Sequence, residues 1–233
     1  MRTNDLIQSW MDDNSTIRAT RFFLLLFAAD VLFVFLHFLL LADSINHEIL
    51  SLETDRGLAE LYQYAKISAI VVLLLSVRMK TGWIGYSVWA LLFLYLLVDD
   101  AFSVHEVLGE HIAISLSFAP ALGLRDVDFG ELVASGAVFV LFLAVLGWFY
   151  SSGSDDFKIA SKRLFLFLLA LAFFGVFVDM LHVALMRVDW RVAFLLVVVE
   201  DGGELLVMSI IAWYVFVLND RAPATAAVPD AAV

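Results

Sequence analysis

At 233 residues, with 63% of them hydrophobic and a mean hydropathy of +0.93, the chain falls outside the range of soluble domains and has the composition of a polytopic membrane protein. Its net charge of −11 argues against a nucleic-acid partner and against polybasic contact with anionic lipid. Cysteine is absent, so disulfides, thiolate metal ligands and thiol catalysis drop out.

The length suits one all-α bundle, with a cytoplasmic N-terminal segment over 1–20, a transmembrane domain over 21–219 and a disordered, Ala/Pro/Val-rich tail over 220–233. In the first segment, Leu6, Ile7, Trp10 and Met11 are spaced as a short amphipathic turn on the membrane surface. Six stretches then reach roughly the 20 residues that cross a bilayer core. They lie near Phe22–Ala42, Leu58–Met79, Gly82–Val104, Glu131–Ser151, Leu164–Met186 and Val192–Leu218. Backbone hydrogen bonding in lipid makes each of them a helix. The first is too long for a signal peptide and lacks a clean cleavage site, so it reads as an uncleaved anchor. The second is the weakest, because Glu60, Gln63 and Lys66 precede its strictly apolar part, Ile67–Val77.

Between the third and fourth spans a long connection, His105–Gly130, holds an apolar run, Ile112–Leu124. That run is too short to cross and suits an interfacial or re-entrant segment, or a loop helix packed over the bundle. The Ser151–Ser154 stretch reads as an inside turn. Basic residues set the orientation. With both termini inside, the inner segments hold Arg2, Arg18, Arg21, Arg78, Lys80, Lys158, Lys162, Arg163 and Arg221. The outer ones hold Arg56, Lys66, Arg125, Arg187 and Arg191. Nine against five favours cytoplasmic termini and a multi-pass plasma-membrane protein, in the inner membrane if the source is bacterial.

Seven carboxylates lie in or at the mouths of these spans: Asp30, Asp99, Asp100, Asp179, Glu200, Asp201 and Glu204. His37, His105 and His182 accompany them, and few basic residues stand near enough in sequence to pair. Ionised groups are costly in lipid and mark functional paths or sites. At ~1.5 Å rise per residue, Asp99, Asp179 and His37 lie ~24–25 Å above the inner face, and Asp30 ~13 Å above it. Glu200 and Glu204 lie ~13 and ~20 Å below the outer face. The polar groups thus form a column in the outer half of the membrane.

In Asp99-Asp100-Ala101-Phe102-Ser103-Val104-His105-Glu106, helical spacing puts Asp99, Ser103 and Glu106 on one face if the helix continues past Val104. The alternative is a span that ends in a solvated polar cap. Asp179 and His182 stand one turn apart, and this D-x-x-H spacing resembles the E-x-x-H element of di-iron carboxylate bundles. Those bundles need two such elements, and one is present. Glu200-Asp201-Gly202-Gly203-Glu204 lies inside the last span, where three acids need protons or cations. Its glycine pair allows close helix approach, a kink or a local break. Asp30 is either a lone hydrogen-bonded residue or the innermost member of the column, and His37 suits a structural role. Leu97-Val98-Asp99-Asp100 resembles Val198-Val199-Glu200-Asp201, but an inverted repeat would place the second pair near the inner face, so the likeness reads as convergence on one site. Asp128-Phe129-Gly130 matches the kinase triplet by chance.

Together, D-D-x-x-x-x-H-E, D-x-x-H and E-D-G-G-E resemble a group of uncharacterised bacterial multipass membrane proteins, a likeness that implies no activity. The S-x-x-x-H and H-x-x-x-H elements of the alkaline-ceramidase group are missing, and so is the last-helix lysine of retinal proteins.

The leading expectation is a divalent metal site (zinc, iron or manganese) held by Asp100, His105, Asp179, His182, Glu200 and Glu204. Glu106 or Glu204 would be the general base of an enzyme acting on a lipid-like substrate. Asp30, His37, Asp99 and Asp201 would extend the polar column. A second expectation is a proton or cation transporter that uses the same acids, with the Gly202–Gly203 break as binding point. A third is an accessory subunit whose acids bind a partner helix.

Overall fold

A computed structural model describes residues 3–42, 47–185 and 190–223, with the side chains of 3–13, 41, 190, 191, 193 and 194 excepted. The expected surface pattern at Leu6, Ile7, Trp10 and Met11 lies outside the described side chains, and the tail from 224 onward lies outside the described residues.

The described chain is all-α, joined by turns and one isolated bridge, Ala121 to Leu124. In order come α1 (Thr3–Leu41), a 3-10 turn (Glu48–Leu50), α2 (Leu58–Thr81), α3 (Gly85–Phe102), α4 (Val104–Leu116) and α5 (Asp126–Ser152). Next, α6 (Asp155–Ala172) passes through a π-helical segment (Phe173–Val178) into α7 (Asp179–Leu185), and α8 (Trp190–Arg221) closes the order. Among the described residues, five stretches are long and apolar enough to cross a membrane: Asn14–Leu40, Leu58–Thr81, Gly85–Phe102, Asp126–Ser152 and Asp155–Leu185. The sixth expected span corresponds to α8, which is not among the five and carries the three acids Glu200, Asp201 and Glu204.

Local chemistry sets the boundaries. Gly82 takes a left-handed conformation (φ 70°), and its N–H donates to the Arg78 carbonyl, which stops α2. Ser154 caps α6 by accepting from the Phe157 N–H. At the head of α5, Asp128 accepts from the Arg125 N–H at 2.7 Å and pairs with its guanidinium.

The expected stripe of Asp99, Ser103 and Glu106 is corrected by the structure. Ser103 is left-handed (φ 49°, ψ 43°) and divides the segment between α3 and α4. The break bares the first N–H groups of α4, and the Asp99 carboxylate accepts the one from His105 at 2.8 Å. The apolar run Ile112–Leu124, read as an interfacial or re-entrant segment or as a loop helix packed over the bundle, is divided: α4 ends at Leu116 and a turn follows over Ala121–Leu124. Helix α4 lies against α5 through Gly109 and Gly130, where a Cβ on Gly130 would overlap the Gly109 carbonyl.

Helix α8 packs against α1, α2, α6 and α7. The main core gathers Ile67, Ile70, Leu74 and Val77 of α2, Trp89 and Phe93 of α3, Leu164 of α6, and Met208, Ile211 and Val215 of α8. One polar contact is enclosed there, the Trp89 indole donating to Ser161 Oγ at 3.0 Å. At one end of the bundle Arg18 pairs with Asp220 at 2.9 Å, and Lys80 Nζ donates to the Asn219 carbonyl. These contacts bring the start of the α1 span beside the end of α8. Leu24, Leu25, Val31, Leu32 and Phe35 of α1 face outward, as lipid-facing side chains do.

Candidate functional site

At the opposite end, α2, α3, α8 and the segment before α2 enclose a cavity of about 180 Å³. Six carboxylates line it: Glu53, Asp55, Glu60, Asp100, Asp201 and Glu204. No Lys, Arg or His is among the lining residues. Glu53, Asp55 and Asp100 are exposed, Glu60, Asp201 and Glu204 are half-buried, and Gln63, Ala59 and Leu205 are buried. Exposure therefore falls from acids at the mouth to amide and apolar side chains at the floor. Glu60 is held in place by the Arg56 N–H and the Tyr64 hydroxyl. Gln63 is only 7% exposed, and its buried Oε1 has no hydrogen-bond partner. Buried polar groups are as a rule hydrogen-bonded, so this acceptor is an exception at the cavity floor.

The glycines of α8 act by close approach. Of the three roles open to the Gly202–Gly203 pair, close approach is the one present, at Gly203; a kink or break is not, because α8 runs unbroken from Trp190 to Arg221. The irregular backbone is the π segment opposite. A Cβ on Gly203 would overlap the Phe174 ring, and a Cβ on Gly175 would overlap Glu204 Oε1. The two elements thus interlock: an α8 glycine receives a π-segment ring, and a π-segment glycine receives an α8 carboxylate. Single π turns inside α-helices recur at functional sites.

The histidines stand apart from the cavity, each with its own partner. His105 Nδ1 lies 3.1 Å from Asp99 Oδ2, and this contact pushes its pKa above the usual histidine range. His182 Nδ1 lies 3.0 Å from Glu200 Oε2, one turn beyond Asp179 on α7. His37, 1% exposed, meets Ser51 Oγ at 3.2 Å and the Leu52 N–H at 3.3 Å. It anchors the segment before α2. Glu106 stands in the first turn of α4. Among the described residues, no three His, Asp or Glu side chains form a group that could hold a metal. Of the residues expected to be ligands, the cavity gathers Asp100 and Glu204. His105, Asp179, His182 and Glu200 lie outside its lining.

By sequence, Lys66 is one of the outer basic residues and Asp30 has no cationic partner; the structure corrects both. Lys66 Nζ lies 3.1 Å from Asp30 Oδ1, and the two side chains are 2% and 5% exposed. The ammonium group also donates to the Leu205 carbonyl at 2.8 Å and to Ser209 Oγ at 3.3 Å, which uses its three protons. The Tyr62 ring lies 4.4 Å from it. Asp30 Oδ2 is buried without a hydrogen-bond partner. The missed signal is the buried face of α2, Ala59-Gln63-Lys66-Ile70-Leu74-Val77, whose three- and four-residue steps place Gln63 and Lys66 inside.

A family described as a domain of unknown function (DUF8692) matches residues 56–219, and the chain belongs to it. The matched region takes in α2 through most of α8, hence Glu60, Gln63, Lys66, Asp100, Asp201 and Glu204. No curated protein and no solved structure matches the chain.

Proposed function

We propose that this member of the family is a six-span membrane protein that admits protons into the acid-lined cavity, from the side opposite its termini, as part of a proton-transport cycle. The observation that carries the reading is the lining itself. Six carboxylates share one cavity with no basic side chain in its lining, yet among the described residues they do not converge as metal ligands. A dehydrated metal ion needs converging ligands at fixed distances. Protons need only acceptors, and carboxylates around a cavity supply them. The Arg18–Asp220 pair supports six crossings. An odd number would place the start of α1 and the end of α8 on opposite faces of the membrane, so α8 joins the five apolar stretches as the sixth span. The excess of basic residues on the termini side supports cytoplasmic ends.

Proteoliposomes with an internal pH dye test this reading. An imposed membrane potential drives proton entry in wild type, and Glu204→Gln abolishes it. Entry unchanged in Glu204→Gln contradicts it. Flux of sodium or potassium without protons would assign the cavity to a hydrated cation instead. A metal-dependent enzyme acting on a lipid-like substrate is a separate reading, favoured by the His182–Glu200 contact beside Asp179. It requires stoichiometric transition metal in the purified protein, lost in a Glu200→Gln/Glu204→Gln variant. Metal in wild type that disappears in that variant would displace the proton reading.

A further inference from the structure

The floor of the cavity differs in chemistry from its walls. Gln63 lines the cavity at 7% exposure, and its Oε1 has no hydrogen-bond partner. Leu52, Ala59 and Leu205 also line the cavity, and they form one buried apolar cluster. Ala59 stands one turn before Gln63 on the buried face of α2, and its small side chain leaves room beside the amide. The floor thus combines one acceptor with hydrocarbon. The walls carry charge of one sign. Helix α2 supplies Glu60, α3 supplies Asp100, α8 supplies Asp201 and Glu204, and the segment before α2 supplies Glu53 and Asp55. That segment is tied down on the side of α1, where His37 Nδ1 accepts the Leu52 N–H, and within itself, where the Thr54 hydroxyl donates to the Glu48 carbonyl at 2.7 Å.

We infer that the cavity binds a small organic cation with N–H donors, a guanidinium or primary ammonium ion, in exchange for protons. The exchange rests on the reading of the cavity as a proton site. Three features of the lining select this class. Gln63 Oε1 takes a hydrogen bond from an N–H of the ligand, which satisfies the buried acceptor. The carbon part of the ligand rests on the apolar cluster, a contact from which a hydrated alkali ion gains nothing. The positive charge lies among carboxylates, with no Lys, Arg or His in the lining to oppose it. Quaternary ammonium ions are recognised by aromatic faces, and no aromatic residue lines this cavity.

The exchange balances charge and protons. A cation that enters while the carboxyl groups are protonated displaces one proton for each positive charge. The carboxyl O–H breaks, its proton passes to water through the mouth, and the carboxylate left behind is the counter-charge of the ligand. Release of the cation reverses each step. The same acids therefore serve both ions, and Gln63 distinguishes between cations by their N–H groups.

The test compares two monovalent probes on the full chain in detergent, by calorimetry. Methylguanidinium carries N–H donors and stays charged at every pH used. Tetramethylammonium has the same charge and no N–H. Wild type should bind methylguanidinium about tenfold more tightly, the cost of leaving a buried acceptor unpaired. Gln63→Met, of similar length but without the amide oxygen, should bring the two affinities together. Equal affinities in wild type, no binding of methylguanidinium, or a preference that persists in Gln63→Met overturns the inference. The wild-type comparison decides even if the variant does not fold. A pH dye in weak buffer should record proton release as methylguanidinium binds, and binding without release overturns the exchange. Proton entry into proteoliposomes without methylguanidinium binding overturns this inference and leaves the proton reading intact. Methylguanidinium binding that depends on Gln63, without proton entry or release, keeps the cation site and removes the proton reading.

Discussion

The two ends of the α2–α8 pair have different surroundings. Toward the start of α2, their shared face meets Glu60, Gln63, Asp201 and Glu204 around a cavity. Toward its end, the same faces bring together Ile70, Leu74, Val77, Ile211 and Val215, all 0% exposed. Length and helicity are common to both halves, so only side-chain chemistry distinguishes them. In the apolar half a charge would have no partner, and the acid half opens on the cavity. Lys66 and Asp30 sit at the border, where a charge is tolerated because it is paired. The comparison teaches that a polar path can enter this bundle to the depth of that pair without unsealing the rest.

The largest effect should come from breaking the border pair on one side. Lys66→Met leaves Asp30 buried without its cation, which costs about 3–5 kcal/mol. Adding Asp30→Asn should recover most of that loss. Thermal unfolding in detergent of the single and double variants checks this, and equal melting temperatures would refute the coupling.

Next are the glycines. Gly175→Ala places a methyl group on Glu204 Oε1, and Gly203→Ala places one on the Phe174 ring, so each should destabilise by about 1–3 kcal/mol through overpacking. Gly175→Ala should also lower proton flux, because Glu204 must move. Gly136 and Gly147 of α5 have open space around them, so alanine there should be neutral or stabilise by up to about 1 kcal/mol, as helix propensity dictates. The same melting series separates the two pairs of glycines. Equal losses at all four sites would mean that the α8–π contact is not close.

The smallest effect belongs to the joint of α3 and α4. Asp99 raises the pKa of His105, so the folded state holds that proton more tightly than the unfolded one. The contact's contribution is then full below the unfolded value of about 6.5 and is lost as pH rises through the higher folded value. The melting-temperature difference between wild type and His105→Gln should therefore be greatest in acid and shrink toward alkaline pH. A difference that grows with pH would contradict the assignment.

Much of this arrangement was legible in the sequence, because lipid permits so few backbone solutions. The five apolar helices fall within a few residues of their expected bounds, apart from the longer starts of α1, α5 and α6. Asp100, Asp201 and Glu204 stood out as acids at membrane depth, and they share the cavity. The likeness of the two acid pairs, read as convergence, also has a spatial counterpart, since the second acid of each lines it.

What escaped depends on contacts between helices. Lys66 looks like a flanking cation until the face of α2 is phased, and its partner is 36 residues away. By depth alone His105 and His182 look like shared ligands; around the helix axes they meet separate neighbours, Asp99 and Glu200. Gly175 carried no signal at all, because the space it leaves is defined by Glu204 on another helix.

The most direct test of proton entry into the cavity is infrared difference spectroscopy of the purified protein in lipid, titrated across neutral pH. The account predicts a carboxylic-acid C=O band that appears and disappears with pH and loses intensity in both Glu204→Gln and Asp201→Asn. A spectrum with no pH-dependent carboxyl band, or a band unchanged in both variants, would show that these acids do not exchange protons and would contradict the account.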